Sequence, residues 1–239
     1  MKADLHVHSR YSKDAVSSLK SILKTAKKKK LDIVAITDHD TIEGAKEAQK
    51  MAPYFGLEVI IGEEIKSKQG DIIALFIKEE IKSGRSALYT LREIHQQGGL
   101  TIAPHPNNWF LEGISAKSLL KVFGELDAIE ILNGSWLGKF GRKEMSRLNK
   151  AIFQLAPVGG SDAHIASQVG CSYTVFEGRN ANDLYFAIQQ KLTMPGGRSW
   201  TYKDRLLWLI NSPRIFYRSP ETLIHIPRVL IKKGIKKII

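Results

Sequence analysis

Residues 1–10 read MKADLHVHSR, and the spacing of the two histidines decides how the rest is read. Successive residues of a strand face opposite sides. His6 and His8 therefore share one face of a first strand, while Leu5 and Val7 share the other and face a core. Two imidazoles side by side at a strand end pose a question of function that the remaining sequence has to answer.

Outward from this strand, short apolar runs alternate with longer amphipathic ones. ADLHV (3–7) is followed by VSSLKSILKTAKKKK (16–30), whose Leu19, Ile22, Leu23 and Ala26 fall on one helical face. LDIVAIT (31–37) is continuous and β-branched, as a strand covered on both faces should be. TIEGAKEAQKMA (41–52) reads as a helix with Thr41 as N-cap, and Gly44 three residues on leaves only half of a capping box. LEVIIGEEIKS (57–67) and DIIALFI (71–77) read as strands around a Gln-Gly turn, and ALYTLREIHQQGG (87–99) as a helix ending on glycines. LTIAPH, DAIEILN, LAPVGGSD and YTVFE complete the strands. The rhythm is βαβα repeated about seven times, which predicts an α/β fold with a parallel sheet closed into a barrel. An open doubly wound sheet is the second architecture it allows. Neither a GxGxxG nor a GxxxxGK[ST] loop occurs.

The pattern changes near Thr201. YKDRLLWLI (202–210) and PETLIHIPRVLIKKGIKKII (220–239) read as helices, the second interrupted by Pro227. The expected organisation is thus a barrel over 1–200 and a short basic C-terminal helical extension over 201–239, packed on the barrel. Lys232, Lys233, Lys236 and Lys237 alternate with Ile231, Ile235, Ile238 and Ile239. An apolar face that packs beneath a solvated lysine face explains this. Weak contact with a polyanion or a membrane surface is the second reading.

Composition bounds the remaining classes. With 239 residues and 43% apolar content the chain can bury one sizeable core. Lys+Arg outnumber Asp+Glu by 36 to 24, a net +12 that attracts anions such as nucleic acid, phosphorylated metabolites or anionic lipid. The lone Cys171 excludes an intramolecular disulfide framework and fits a reducing cytosol. The opening residues do not read as a signal peptide, and no apolar run reaches the ~18 residues of a membrane span. The expected location is cytoplasmic.

Five of the seven histidines, His6, His8, His39, His105 and His164, stand at strand ends, each beside a carboxylate or turn residue: DLHVHS, ITDHDT, IAPHP, GGSDAH. In a parallel barrel the C-terminal strand ends meet on one face, where active sites form. Periodic placement in sequence thus becomes a cluster in space. Histidine and carboxylate without cysteine suit zinc, manganese or iron. His95 and His225 fall inside predicted helices and read as ordinary residues.

The strings HVHSRYSKDA, ITDHDT, GEEI, APHP and GGSDAH, in this order over roughly residues 1–200, resemble the PHP family of polymerase and histidinol phosphatase metal-dependent phosphoesterases. The resemblance implies a distorted (β/α)7 TIM-like barrel holding two or three divalent ions. It implies that His6, His8, Glu63 and Asp162 hold one ion, that Glu63 bridges to a second ion with His105, and that Asp14, His39 and His164 hold a third. Glu63 is preferred to its neighbour Glu64 because it follows the glycine. Asp71 stands where such proteins usually carry a histidine, so it is an uncertain further ligand. Asp38 and Asp40 flank His39, one as a support for a ligand imidazole, with N-capping the other role for Asp40. Arg10, Lys66, Glu130 and Asn133 are candidate substrate contacts.

The implied activity is hydrolysis of phosphate esters by metal-activated water, as a phosphomonoesterase or a nuclease on nucleotides or oligonucleotides. The expected partner is a phosphorylated small molecule or short nucleic acid. The alternative is a non-catalytic module of the same type that binds nucleic acid or an anionic surface. A related amidohydrolase would need a strand-end lysine bridge that is missing here. The oligomeric state is not legible.

Overall fold

The computed structural model describes residues 1–218. In chain order its elements are β1 (Lys2–Val7), α1 (Leu19–Lys28), β2 (Ile33–Ile36), α2 (Glu43–Met51), β3 (Glu58–Ser67) and β4 (Gly70–Leu75). Next come α3 (Ala87–Gln96), β5 (Leu100–Ala103), α4 (Ala116–Val122), β6 (Ala128–Asn133), α5 (Arg142–Leu148) and β7 (Ala156–Gly160). The last are β8 (Ser172–Phe176), α6 (Ala181–Gln189), β9 (Thr193–Gly197) and α7 (Tyr202–Arg218). The nine strands form one sheet in the order β7-β6-β5-β4-β3-β2-β1-β8-β9.

The sheet curls into a nearly closed barrel. Beyond β7 the chain returns to β1, where the Asp162 N–H donates to the His6 carbonyl (2.8 Å) and the His8 N–H to the Ala163 carbonyl (3.0 Å). Along β7, the Thr174 hydroxyl donates to the Gly159 carbonyl and the Thr193 hydroxyl to the Pro157 carbonyl, which brings β8 and β9 against it. The interior is filled in layers by residues such as Leu5, Ile33, Ile60, Ile73, Ile102 and Val158, and Leu184 and Ile188 of α6 join the same cluster. Helices α1 and α2 cover the outside of β2, through Leu19, Ile22, Leu23, Ala26, Ala45 and Ala48. The predicted face of α1 is buried as expected, with Ser18 as N-cap.

Three expectations change. The sheet is not all parallel: β4 runs antiparallel to both β3 and β5, because the Gln-Gly turn makes a hairpin too tight for a crossover helix. Leu5 and Val7 do not share a face. The register of β1 on β2 slips between Asp4↔Val34 and Val7↔Ile36, so Leu5 packs inside the barrel and Val7 outside against α1. Helix α2 starts at Glu43 with Ile42 as its cap, and Thr41 lies one position earlier, accepting from the Glu43 N–H.

The start of α7 is tied to the barrel. Trp200 is buried and its backbone N–H donates to the Gly134 carbonyl, while Asp204 accepts from Thr201 and from the Arg198 guanidinium. The predicted helix over 220–239, with His225 and the four C-terminal lysines, lies outside the described residues. Among the described residues no helix is long and apolar enough to cross a membrane.

Candidate metal centre

The apolar layers stop at one end of the barrel, and polar side chains take over. Five elements deliver them: the end of β1, the turn after β2, the middle of β3, the turn after β5 and the turn after β7. The reversed β4 contributes from its beginning rather than its end, which is why Asp71 reaches the same mouth. Asp71 shares the inward face of β4 with Ile73 and Leu75 and pairs with Lys66.

His6 and His8 do meet, with their Nε2 atoms 3.0 Å apart. A carboxylate oxygen, Oε2 of Glu64, lies 3.1 Å from both. Its other oxygen lies 3.1 Å from His105 Nε2. Asp162 Oδ1 stands 3.6 Å from the Nε2 atoms of His6 and His8 and from His164 Nδ1. Asp14 Oδ2 is 3.3 Å from His39 Nε2 and 3.1 Å from His164 Nε2. The rings of His39 and His164 pack on His8, with centroids 4.6 and 4.4 Å away. Three overlapping triads place their ligand atoms within 4.8 Å of one another: His6–His8–Asp162, His6–Glu64–His105 and His8–His39–His164.

Glu63 is not in this cluster. Its Oε2 accepts from the Ile81 N–H (2.9 Å) on the outer side of the sheet. Strand β3 is buried on both faces, so no polar alternation marks which glutamate turns inward. The glycine that suggested Glu63 lies on the same face as Glu64, two residues away: a Cβ on Gly62 would meet Thr37 and Leu75. Burial pushes the Glu63 carboxyl up to about 8, with nearby Asp40, Glu80 and Glu93 adding to it. Glu64 is buried too, yet the charges of His6 and His39 and the hydrogen bond from His105 hold it well below the usual range. Adjacent carboxyls thus have opposite character because only one faces imidazoles.

Glu130 and Asn133, expected as substrate contacts, are buried behind the histidines. Glu130 Oε1 lies 3.2 Å from His6 Nδ1, and its Oε2 accepts from the His105 N–H (2.8 Å). That bond holds His105 at φ +29°. The Asn133 amide donates to both Glu130 Oε2 and Asp162 Oδ2. Of the other two, Arg10 is exposed, its guanidinium 6.0 Å from the Tyr11 ring centroid. Lys66 is exposed at the mouth and paired with Glu112. Asp71 is buried beside Glu64, outside the three triads, and burial followed by the Glu64 charge pushes its carboxyl up to about 8.

Asp38 supports a histidine through serines. It accepts from the Ser9 N–H (2.6 Å) and the Ser12 hydroxyl (3.0 Å), and Ser12 Oγ lies 3.3 Å from His8 Nδ1. Asp40, in the left-handed region at φ +51°, accepts from the Lys66 N–H and does not cap α2. Sequence reasoning missed Ser9, Ser12 and Gly44. A Cβ on Gly44 would come within 2.2 Å of Asp38 Oδ2, so only glycine lets α2 approach this carboxylate. The one available signal was the glycine in an otherwise helical run.

The donor set fits divalent cations. With His6 Nδ1–H donating to Glu130, the His6 Nε2 lone pair faces His8 Nε2 and a carboxylate oxygen, a set of acceptors that a shared divalent cation would satisfy. Two further ligand-type atoms, Asp14 Oδ1 and His105 Nδ1, are buried without a partner. His164 is raised to about 9, because Asp14 and Asp162 outweigh the opposing burial. Such imidazoles must release protons to accept a metal.

A family model of the PHP domain matches residues 4–162, and one described as PHP-associated matches 143–192. An uncharacterised protein of Methanocaldococcus jannaschii is 41% identical over 166 residues, which are 65% of this chain and 94% of that protein. A 5′-3′ exoribonuclease of Haemophilus influenzae is 41% identical over 66 residues, 28% of this chain and 24% of that protein. Among solved structures, a two-domain protein of Bacteroides vulgatus assigned a PHP-like metal-dependent phosphoesterase superposes with a TM-score of 0.72. It is 19% identical, with 89% of this chain and 69% of that chain covered, a likeness of fold.

Proposed function

This chain belongs to the PHP family, and we propose that it is a metal-dependent phosphoesterase acting on nucleotide or oligonucleotide substrates. The observation that carries the reading is the convergence of His6, His8, Asp14, His39, Glu64, His105, Asp162 and His164 at one barrel mouth. These residues would hold two or three divalent ions, with Glu64 taking the place first given to Glu63. Bound there, such ions lower the pKa of a coordinated water toward ~7 and offset charge on phosphoryl oxygens.

The chain's own residues set the geometry. Glu130 orients His6 at Nδ1 and pins the backbone of His105. Asn133 links Glu130 to Asp162, so three ligands from three strands share one brace. Asp38 does the same for His8 through Ser12. Lys66, held at the rim by Glu112, supplies positive charge where an anionic substrate enters.

The substrate class rests on a ledge beside the mouth. The loop after His105 carries Trp109 and Phe110, stacked with centroids 3.7 Å apart, and Phe140 from the loop after β6 lies 5.2 Å from Phe110. The two loops are tied by the Asn108 amide, which donates to the Leu137 carbonyl. Trp109 and Phe140 remain 44% and 42% exposed, and Lys139 stands over Phe140. Exposed rings with a cation beside them favour a substrate that carries a base as well as a phosphate. The exoribonuclease named among the relatives is consistent with this choice.

The test is metal analysis of protein purified without chelator, followed by phosphate release from mononucleotides, bisphosphonucleotides, histidinol phosphate and short oligonucleotides. Bound metal with turnover of a nucleotide substrate, abolished by chelation, is the expected result. Turnover of histidinol phosphate alone would overturn the substrate class. Bound metal without any turnover would favour a non-catalytic binding module.

A further inference from the structure

A second concave surface lies outside the metal centre, between α5 and the place where β6 meets β9. It is an open cleft of about 410 Å³. Its floor is apolar, made by Ile131 and Leu132 of β6 and Pro195 of β9. The floor is braced: the Ser172 hydroxyl donates to the Leu132 carbonyl (2.8 Å), and β9 is laddered to β8 along Thr193–Gly197. The wall is one face of α5, where Arg142, Lys143 and Arg147 line the cleft at helical spacing. Ser146 stands among them.

No carboxylate answers these cations. Elsewhere Arg92 and Arg198 are paired with Glu125 and Asp204. Among the described residues Arg142, Lys143 and Arg147 have no such pair. Glu144, the one acid of α5, does not line the cleft. Its carboxylate accepts instead from the Asn107 amide (2.9 Å) in the loop after β5.

An apolar floor beneath three cations calls for a ligand with a flat apolar body and a negative group. A nucleotide has both. Its base covers the floor, and the guanidinium and ammonium groups take its phosphate, with the Ser146 hydroxyl as a further donor. An acidic peptide would match the cations and leave the floor in water. A second copy docked through the same face would set the cations against themselves.

The cleft also continues the ring ledge. Phe140, which contacts Phe110 there, stands two residues before Arg142. Gly141 between them has φ +79°, and a Cβ on it would lie 3.0 Å from the Asn107 carbonyl oxygen. The start of α5 is thus held against the loop that carries His105. Rings that stack a base, followed by a cationic cleft that tracks the backbone, are the two parts of a single-strand path. We propose that the cleft holds the nucleotide next to the one on the ring ledge, so that the chain binds a single strand along α5. This rests on the nucleotide reading of the metal centre.

The experiment compares wild type with the triple variant Arg142→Gln, Lys143→Gln, Arg147→Gln. A control, Lys20→Gln, Lys24→Gln, Lys28→Gln, removes the same charge from exposed lysines of α1. The probe is a phosphorothioate-linked single strand of about six nucleotides, bound to metal-loaded protein and followed by fluorescence anisotropy. The cleft variant should bind it at least about tenfold more weakly, with a slope of log K against log salt shallower by about 2, at ~0.7 per phosphate contact. The control should bind as wild type does. Both variants should keep the thermal midpoint, metal content and mononucleotide turnover of wild type. Undiminished strand binding by the cleft variant would overturn the proposal. So would equal weakening by the control, which would assign the effect to net charge. Equal loss of strand binding and mononucleotide turnover in the cleft variant would also overturn it, by assigning the cations to the metal centre. A wild type that binds the strand through the cleft yet hydrolyses no nucleotide would uphold the cleft and sink the activity proposed above.

Discussion

Glu63 and Glu64 offer a comparison in which two adjacent buried carboxyls should respond oppositely to the same change. Glu64→Gln removes the charge that faces His6, His8 and His105, all at 3.1 Å. An amide keeps the size but places an N–H2 or a neutral oxygen among imidazoles arranged for a metal. Groups that merely orient a ligand cost about 10–100-fold when removed, so a shared ligand should cost at least about 100-fold in kcat/KM, with loss of bound metal. Glu63→Gln should leave activity within about threefold, since its amide oxygen can still accept from the Ile81 N–H. Its effect belongs to stability. The Glu63 carboxyl holds its proton to about 8 in the fold and releases it near 4.5 when unfolded. The unfolded chain therefore binds fewer protons across that window, and wild-type stability falls as pH rises from about 4.5 to 8, by an amount on the order of a few kcal/mol. Glu63→Gln removes this term, so its stability curve should be flatter and should lie above wild type at pH 8.5. Urea midpoints at pH 5.5 and 8.5, metal content and steady-state rates measure all three effects. Equal losses of activity from the two variants, or metal loss from Glu63→Gln alone, would refute the assignment of Glu64 to the centre.

Glu130→Gln should lower metal affinity about 10–100-fold while the chain stays folded, because His6 and His105 lose their brace; a raised KM with normal metal content would instead mark Glu130 as a substrate contact. Gly44→Ala drives a methyl into Asp38, and should lower both the thermal midpoint and activity; a variant indistinguishable from wild type would mean that α2 can shift without disturbing Ser12. Cys171 is buried and burial pushes its thiol up to about 12, so labelling by a thiol reagent at pH 8 should wait for denaturant. Trp109→Ala with Phe140→Ala should raise KM for a nucleotide at least about tenfold and leave turnover of a phenyl-free alkyl phosphate unchanged, since stacking is worth about 1–3 kcal/mol per base.

The barrel and the position of its centre were legible because they rest on periodicity. Apolar runs at regular intervals, several of them ending in histidine or carboxylate, can be placed on one face without knowing any contact. What failed was local parity. At β1 the slip between Asp4 and Val7 rotates the chain by one residue, so Leu5 and Val7 enter different cores although they are two apart. At β3 the strand is buried on both sides, and Glu63 and Glu64 look alike to any pattern that reads polarity. β9 escaped altogether: Thr193–Gly197 contains a proline and two glycines, tolerable because it forms the edge of the sheet, where its outer backbone needs no partner.

The supporting groups were misread for a related reason. Glu130 and Asn133 stand at a strand end and face the mouth, which in sequence is the position of a substrate contact. Depth separates the two roles, and depth comes from neighbours that sequence does not supply. Here Gly160 decides it: a Cβ there would lie 2.5 Å from the His6 Cβ and 2.6 Å from Glu130 Oε1. With glycine in place, β7 closes against β1 tightly enough to seat Glu130 behind His6 rather than in front of it. The centre is thus shaped as much by missing side chains as by its ligands. Gly44 leaves room for Asp38 behind Ser12 and His8, and Gly160 leaves room for Glu130 behind His6, so both imidazoles are held from behind and aim their Nε2 atoms at the same point.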